Sequence, residues 1–342
     1  MKQKYITTTA YYIAFVLLGL TIAAEGPTLL KLAEHTSSAL DQISSIFLFG
    51  SLGYLLGSYI GGRLYDRVPG HRFMSGVLIC LGITVALVPL APSRGILFAI
   101  VLVLGLFKGG LDVGCNTLLL WVHNETVGPF MNGLHAFFGV GAFIAPLIVA
   151  QVISFTGDIY WVYWIFAIAA FPLAVWIWNL PSPESRAVPA HHESAPFPIL
   201  PVLIMVLCFV LYVGGESGYG AWIYTYAFTL KFGTEVTAAY LTSAFWGSFT
   251  LGRLLGIWVS TRARPIQTSA RFAPQFPSTR CCSRSRRTTR GAIPRPDGSR
   301  GSRDSEHTPF RRSTYWSQAR SAAIRAATSL RTGPHPIRRR SG

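Results

Sequence analysis

Apolar runs of about 20 residues, long enough to cross a lipid bilayer, recur along this chain with only short polar joints between them. They fall at roughly 9–31, 42–64, 73–92, 96–121, 132–153, 160–180, 199–229 and 236–260. Inside hydrocarbon a backbone must satisfy its own N–H and C=O groups, so eight runs of this length lead to an all-α, polytopic membrane protein. Composition agrees: 51% of the 342 residues are apolar and 13% charged, with a mean hydropathy of +0.40. That is too oily for a water-soluble domain of this size.

The net charge of +16 resembles a nucleic-acid signature until it is divided along the sequence. Residues 263–342 hold eighteen arginines, no lysine and three acids, which places +15 there and leaves residues 1–262 close to neutral. The tail is rich in Arg, Ser, Pro and Thr and has no helical or strand period, so it reads as a disordered basic segment. It starts abruptly where a further span is expected, which points to a shifted reading frame or a truncation. The functional alternative is an arm for anionic lipid headgroups. No aromatic platform or fold motif supports specific nucleic-acid binding. The five cysteines show no metal-ligand spacing, so neither a metal nor a cofactor is expected.

The chain divides into four parts: a six-helix N-terminal bundle over 1–180, a polar, proline-rich cytoplasmic linker over 181–198, two helices of a second bundle over 199–262, and the tail over 263–342. Lys2, Lys4, Arg63, Arg67, Arg72, Arg186, Arg262 and Arg264 fall on one side of the spans, and Lys31, Arg94 and Lys231 on the other. The positive-inside rule then puts the N-terminus in the cytoplasm, with the chain in the cell membrane. The two parts repeat weakly. Glu25 corresponds to Glu216, and Gly57, Gly61 and Arg67 correspond to Gly252, Gly256 and Arg262, as expected for repeated halves about an axis along the membrane normal.

Between the second and third runs lies a charged loop, Gly62-Arg63-Leu64-Tyr65-Asp66-Arg67-Val68-Pro69-Gly70-His71-Arg72. Gly57, Gly61 and Gly62 allow one helix to approach a neighbour closely, Asp66, Arg67 and Arg72 set both signs of charge at the helix end, and Gly70 supplies the turn. The spacing resembles the G-x-L-x-D-R-x-x-G-x-R loop of the major facilitator superfamily and matches it at every fixed position. That resemblance implies a gating loop in Gly62, Asp66, Arg67, Gly70 and Arg72, with Asp66 latching the inner gate against a later helix.

Polar groups inside the spans are the candidates for a site, since in hydrocarbon they cost several kcal/mol unless they face a cavity or a partner. Lys108, Asp112 and Asn116 recur at i, i+4 and i+8 and share one helix face. Two readings stand for them: a substrate site, or a Lys108–Asp112 pair that only holds helices together. Glu25 and Glu216, at matching places in the two halves, either face a shared lumen, where a carboxylate binds hydroxyls or a proton, or bond to backbone near glycines. His135 enters its span as a substrate ligand or as an interfacial group. Trp222 and Tyr226 offer either stacking faces for a sugar ring or an interfacial aromatic belt.

Further stretches, Gly26-Pro27-Thr28-Leu29-Leu30 with Ile43-Ser44, Leu111-Asp112 to Asn116, Leu134-His135-Ala136-Phe137-Phe138-Gly139 and Gly220-Ala221-Trp222-Ile223-Tyr224-Thr225-Tyr226, resemble fucose permeases and vertebrate sodium-dependent glucose transporters. The resemblance covers residues 5–262. It implies twelve helices in two bundles, a central cavity lined by helices one, four, seven and ten, and alternating access driven by an ion gradient. Helices nine to twelve have no counterpart in this sequence, and Lys108 beside Asp112 departs from the fucose permease pattern. The expected function is ion-coupled transport of a sugar-like small molecule, by proton or sodium, from a monomer in the bilayer and without enzymatic chemistry. A non-transporting membrane fragment that acts as a partner or binds anionic lipid is the alternative.

Overall fold

The computed structural model describes residues 2–184 and 199–262, with the backbone alone for 256–262. Most of the linker and the whole arginine-rich tail, with Arg186 and Arg264, therefore lie outside the described residues. The described chain is helical: α1 (Lys2–Ala23), α2 (Glu25–His35), the single turn α3 (Leu40–Ile43), α4 (Ile46–Tyr65), α5 (Gly70–Leu87), α6 (Arg94–His123), α7 (Val127–Thr156), α8 (Tyr160–Trp178), α9 (Ile199–Thr229) and α10 (Glu235–Arg262). Six stretches of it are long and apolar enough to cross a membrane, one of them running through both α6 and α7. These hold seven of the eight expected spans; the eighth is the less apolar α10.

The first expected span is two helices rather than one. Pro27 has no N–H to give the Ala23 carbonyl, and its ring crowds that turn, so the helix is interrupted at Ala24 and restarts at Glu25. α7 runs unbroken through the buried Pro146, although that residue has no N–H to give the Ala142 carbonyl. It ends on Gly157 at φ 71°, a left-handed cap that favours glycine. α6 ends on Asn124 at φ 52° before one 3-10 turn leads into α7.

In the first six spans the helices pair as α1 with α7, α4 with α6 and α5 with α8. The α4–α6 seam depends on close backbone approach: a Cβ on Gly53 or Gly57 would collide with the Leu102 or Leu106 carbonyl, and one on Gly105 or Gly109 with that of Gly50 or Tyr54. In lipid there is no hydrophobic force between helices, so such van der Waals contact supplies the association. Gly57 and Gly61 thus behave as the sequence predicts. Gly62 does not, since a Cβ there would meet Val113 at an ordinary 3.8 Å. Beyond the seam, Tyr65 is buried against Phe73 and Gly114, and Arg63 and Arg72 lie over the Tyr59 and Trp178 rings.

Polar contacts fasten both ends. Where the N-terminus lies, buried His71 takes Tyr11 Oη at 2.6 Å and the Leu180 carbonyl at 3.0 Å, and His123 meets Thr8 Oγ1 at 2.7 Å. At the opposite end His35 pairs with Asp158 at 3.1 Å and stacks on Tyr160. α9 and α10 join the first six spans through α7 and α2. Gly139 abuts Thr250, Phe143 abuts Gly247, Gln151 donates to Tyr240 Oη at 3.1 Å, and Gly26 lies against the Ala221 carbonyl. These contacts run from the middle of α7 toward the end opposite the N-terminus.

Candidate functional site

Lys108 is buried at 3% exposure, and its ammonium bonds the Glu25 carboxylate and, at 3.1 Å, the Thr21 carbonyl. The interruption of the helix at Ala24 accounts for both partners. It leaves the end of α1 with carbonyls that lack a regular helical donor, and it makes Glu25 the first residue of α2, directly beside them. Glu25 stays 26% exposed while Lys108 is enclosed. A cavity about the size of a water molecule, lined by Thr21, Glu25, Val85, Leu104, Tyr163 and Phe166, borders the pair. Near it Thr28 and Tyr163 share a hydroxyl–hydroxyl bond of 2.7 Å.

The pairing of Lys108 with Asp112 that the spacing allowed is not what forms. One helical turn further on, Asp112 lies beside the Tyr54 hydroxyl, and Asn116 Nδ2 donates to its carboxylate at 3.0 Å and its carbonyl at 2.9 Å. A four-residue step rotates a helix by about 40° beyond a full turn. That is enough for Lys108 to reach α1 and α2 while Asp112 faces α4.

A second cluster joins α9 and α10. Arg253 Nη2 is 3.9 Å from the Glu216 carboxylate and 3.5 Å from Tyr212 Oη, and its guanidinium lies 4.5 Å over the Phe249 ring. His135 of α7 sits edge-on to Phe15 at 5.6 Å and within electrostatic reach of Arg253. Two buried donors here, Arg253 Nε and Trp246 Nε1, have no hydrogen-bond partner among the described residues. Trp246, Thr250 and Arg253 follow i, i+4, i+7 spacing, so all three share the α10 face that meets α7. Five other buried polar atoms, on His35, Tyr65, His123, Thr225 and Ser243, also lack a partner among the described residues, but only Arg253 and Trp246 set two unpaired N–H donors on one helix face, and a ligand would pair them.

The comparisons with known proteins bear on this arrangement. The family model described as Major Facilitator Superfamily matches residues 11–274. The chain belongs to the major facilitator superfamily. It is similar to sodium-dependent glucose transporter 1 of Xenopus laevis, 29% identical over 72% of this chain and 56% of that protein. The Homo sapiens protein of that name is 28% identical over 74% and 56%. Major facilitator superfamily domain-containing protein 4A of Pongo abelii is 26% identical over 78% and 71%. The chain thus spans little more than half the length of the two glucose transporters it matches. Among solved structures, the nucleoside transporter NupG shares the fold, with a TM-score of 0.53 and 12% identity over 74% of this chain and 65% of that one.

For a member of this superfamily the expected site residues fall into groups. Glu25 with Lys108, Asp112 with Asn116, and Glu216 with Arg253 each form a polar cluster inside the spans, and His135 is within electrostatic reach of Arg253. Trp222, 38% exposed, packs at 5.7 Å from Phe47 of α4, where α9 approaches the first six spans. Tyr226 stands apart, 60% exposed and edge-on to Phe232 near the end of α9. Arg253, Trp246 and Tyr54 escaped the sequence reading. Arg253 carried the clearest signal, a cation in the middle of an apolar helix.

Proposed function

We propose that this superfamily member is a secondary active transporter for a sugar or a similarly hydroxylated small polar metabolite, working by alternating access and coupled to protons or sodium. The observation that carries the proposal is the polar cluster of Glu216, Arg253 and Trp246 where α9 and α10 meet α7. Its acceptor and unpartnered donors match the hydroxyl groups of a carbohydrate. The names of the glucose transporters it resembles favour the same substrate class. The proposed site adds Asp112 and Asn116 on α6, His135 on α7 and Trp222 on α9. With the N-terminus assigned to the cytoplasm of a cell, the contacts between α7 and α10 close the outer side, which corresponds to an inward-facing arrangement. The loop of Gly62, Asp66, Arg67, Gly70 and Arg72 then acts at the cytoplasmic gate. Transport of this kind makes and breaks no covalent bond, so the proposed role is not enzymatic.

The six-helix bundle, linker, two-helix partial bundle and tail remain our proposed division of the chain. The test is counterflow of labelled sugars into proteoliposomes carrying the full chain, with sodium and proton gradients imposed separately. Gradient-stimulated uptake that falls at least tenfold in Asp112→Asn supports the reading, and no uptake across a sugar panel by recoverable protein defeats it for this chain. The concentration of positive charge in residues 263–342 favours a second reading, a membrane fragment that binds anionic lipid. Binding to anionic vesicles that is lost on deleting residues 263–342, without transport, would establish it.

A further inference from the structure

The end of α1 is built as a cation site. Its last carbonyls, that of Thr21 among them, carry the negative end of the helix dipole, the interruption at Ala24 sets them beside the start of α2, and Glu25 adds a full negative charge at the same place. Interrupted membrane helices bind small cations at such ends, through freed carbonyls and a nearby carboxylate. In this chain the position is filled from within. The Lys108 ammonium touches both the Thr21 carbonyl and the Glu25 carboxylate, the two oxygen types that a free monovalent cation would take.

We propose that Lys108 is a tethered counter-ion that excludes exchangeable cations from Glu25, and that without its ammonium the Thr21–Glu25 oxygens bind a small monovalent cation such as sodium. Lys108 is enclosed among α1, α2 and α6, so its charge does not leave the site by a simple side-chain swing into solvent. The water-sized cavity beside Thr21 and Glu25, together with the volume vacated by a shortened side chain, gives the incoming ion room and a hydration partner. Glu25 itself is partly exposed, which leaves a route to it. The consequence for coupling rests on the transport reading: a coupling ion must then act at Asp112 or Glu216, because Glu25 already holds its cation.

The test needs no transport. The full chain is purified in detergent and its thermal unfolding is followed by intrinsic fluorescence in choline chloride and in sodium chloride of equal ionic strength. Wild type, Lys108→Met, Lys108→Arg and the double variant Glu25→Gln with Lys108→Met are compared. Lys108→Met is expected to gain a saturable, sodium-specific rise in Tm of about 5 °C, from the linkage between binding and stability. The double variant is expected to lose that rise, and Lys108→Arg to respond no more than wild type. Equal sodium responses in wild type and Lys108→Met, or a response that survives Glu25→Gln, overturn the proposal. Should Lys108→Met yield no folded protein, wild type and Glu25→Gln decide: a saturable sodium shift in wild type that Glu25→Gln removes overturns it, and sodium-independence of both upholds it. Absent sugar uptake would count against the transport reading while leaving this result unaffected.

Discussion

α5 and α9 have the same mean hydropathy over their most apolar stretches, yet more than half of that stretch in α5 is buried and none of it in α9. The same contrast runs through the whole molecule. The first six spans interlock through glycines, buried histidines and an ion pair that encloses Lys108. α9 and α10 meet them along one side, and nearly every residue from Ile199 to Tyr219 is exposed. Apolarity in such a chain therefore reports the solvent it was made for, a lipid, and says little about which helices touch. Contact is specified by small residues and by polar groups that must find partners. The two regions divide along those features rather than along hydrophobicity.

The sharpest way to break the comparison is to add the same side chain to both regions. A Cβ on Gly57 would run into the Leu106 backbone of the α4–α6 seam, whereas one on Gly252 of α10 meets nothing within 4 Å. Gly57→Val is expected to cost at least the upper part of the ~1–3 kcal/mol typical of overpacking, because the obstacle is backbone and cannot change rotamer. Little monodisperse protein should survive extraction in mild detergent. Gly252→Val should elute from size exclusion as wild type does. Equal yields for the two variants would show that the seam is less tightly locked than its geometry requires.

A smaller effect separates the two ion pairs. Lys108 is enclosed while Glu25 is a quarter exposed, and removing one partner from a largely buried pair leaves the other charge uncompensated, at a cost of up to about 3–5 kcal/mol. Glu216 is only 13% exposed, but Arg253 is a third exposed and 3.9 Å away, so this looser pairing belongs nearer the ~0–1 kcal/mol of solvent-screened ion pairs. In sodium-free buffer Lys108→Met should thus lower the unfolding temperature several times more than Arg253→Met does. If Arg253 serves substrate rather than stability, Arg253→Met should abolish counterflow while barely moving Tm. A large loss of stability from Arg253→Met would move that residue from the proposed site into the scaffold.

The span pattern was legible in the sequence because bilayer thickness sets a length that no soluble element needs. Close approach at Gly57 and Gly61 was legible for a similar reason, since a glycine row on an apolar helix has few other uses. The partner of Lys108 was not. Spacing along α6 offered Asp112, and the choice of Glu25 depends on an interruption in another helix, more than 80 residues away in the chain. Pro27 was the available sign of that interruption. The internal repeat also concealed a difference: Glu25 stands at a helix break and Glu216 inside the continuous α9, so matching positions in sequence have unlike backbones. Arg253 was signalled as a cation within an apolar helix, but the unpartnered donors of Trp246 and Arg253 are a property of α10 packed on α7 and could not be read from the sequence.

The smallest expected effect compares one truncation in each region. Leu78 of α5 is fully buried, and Leu207 of α9 is 57% exposed. In water both would lose transfer free energy on truncation to alanine. In a bilayer or micelle the surroundings of a leucine are as apolar folded as unfolded, so that term nearly vanishes and the cavity term remains. Leu78→Ala is therefore expected to fall near the low end of the ~2–5 kcal/mol seen for buried leucines, and Leu207→Ala within about 0.5 kcal/mol of wild type. Thermal unfolding of both variants in the same detergent checks this. A substantial loss from Leu207→Ala would mean that the face of α9 around it is packed against something in the isolated protein, and the region treated as lipid-facing would have to be redrawn as an interface.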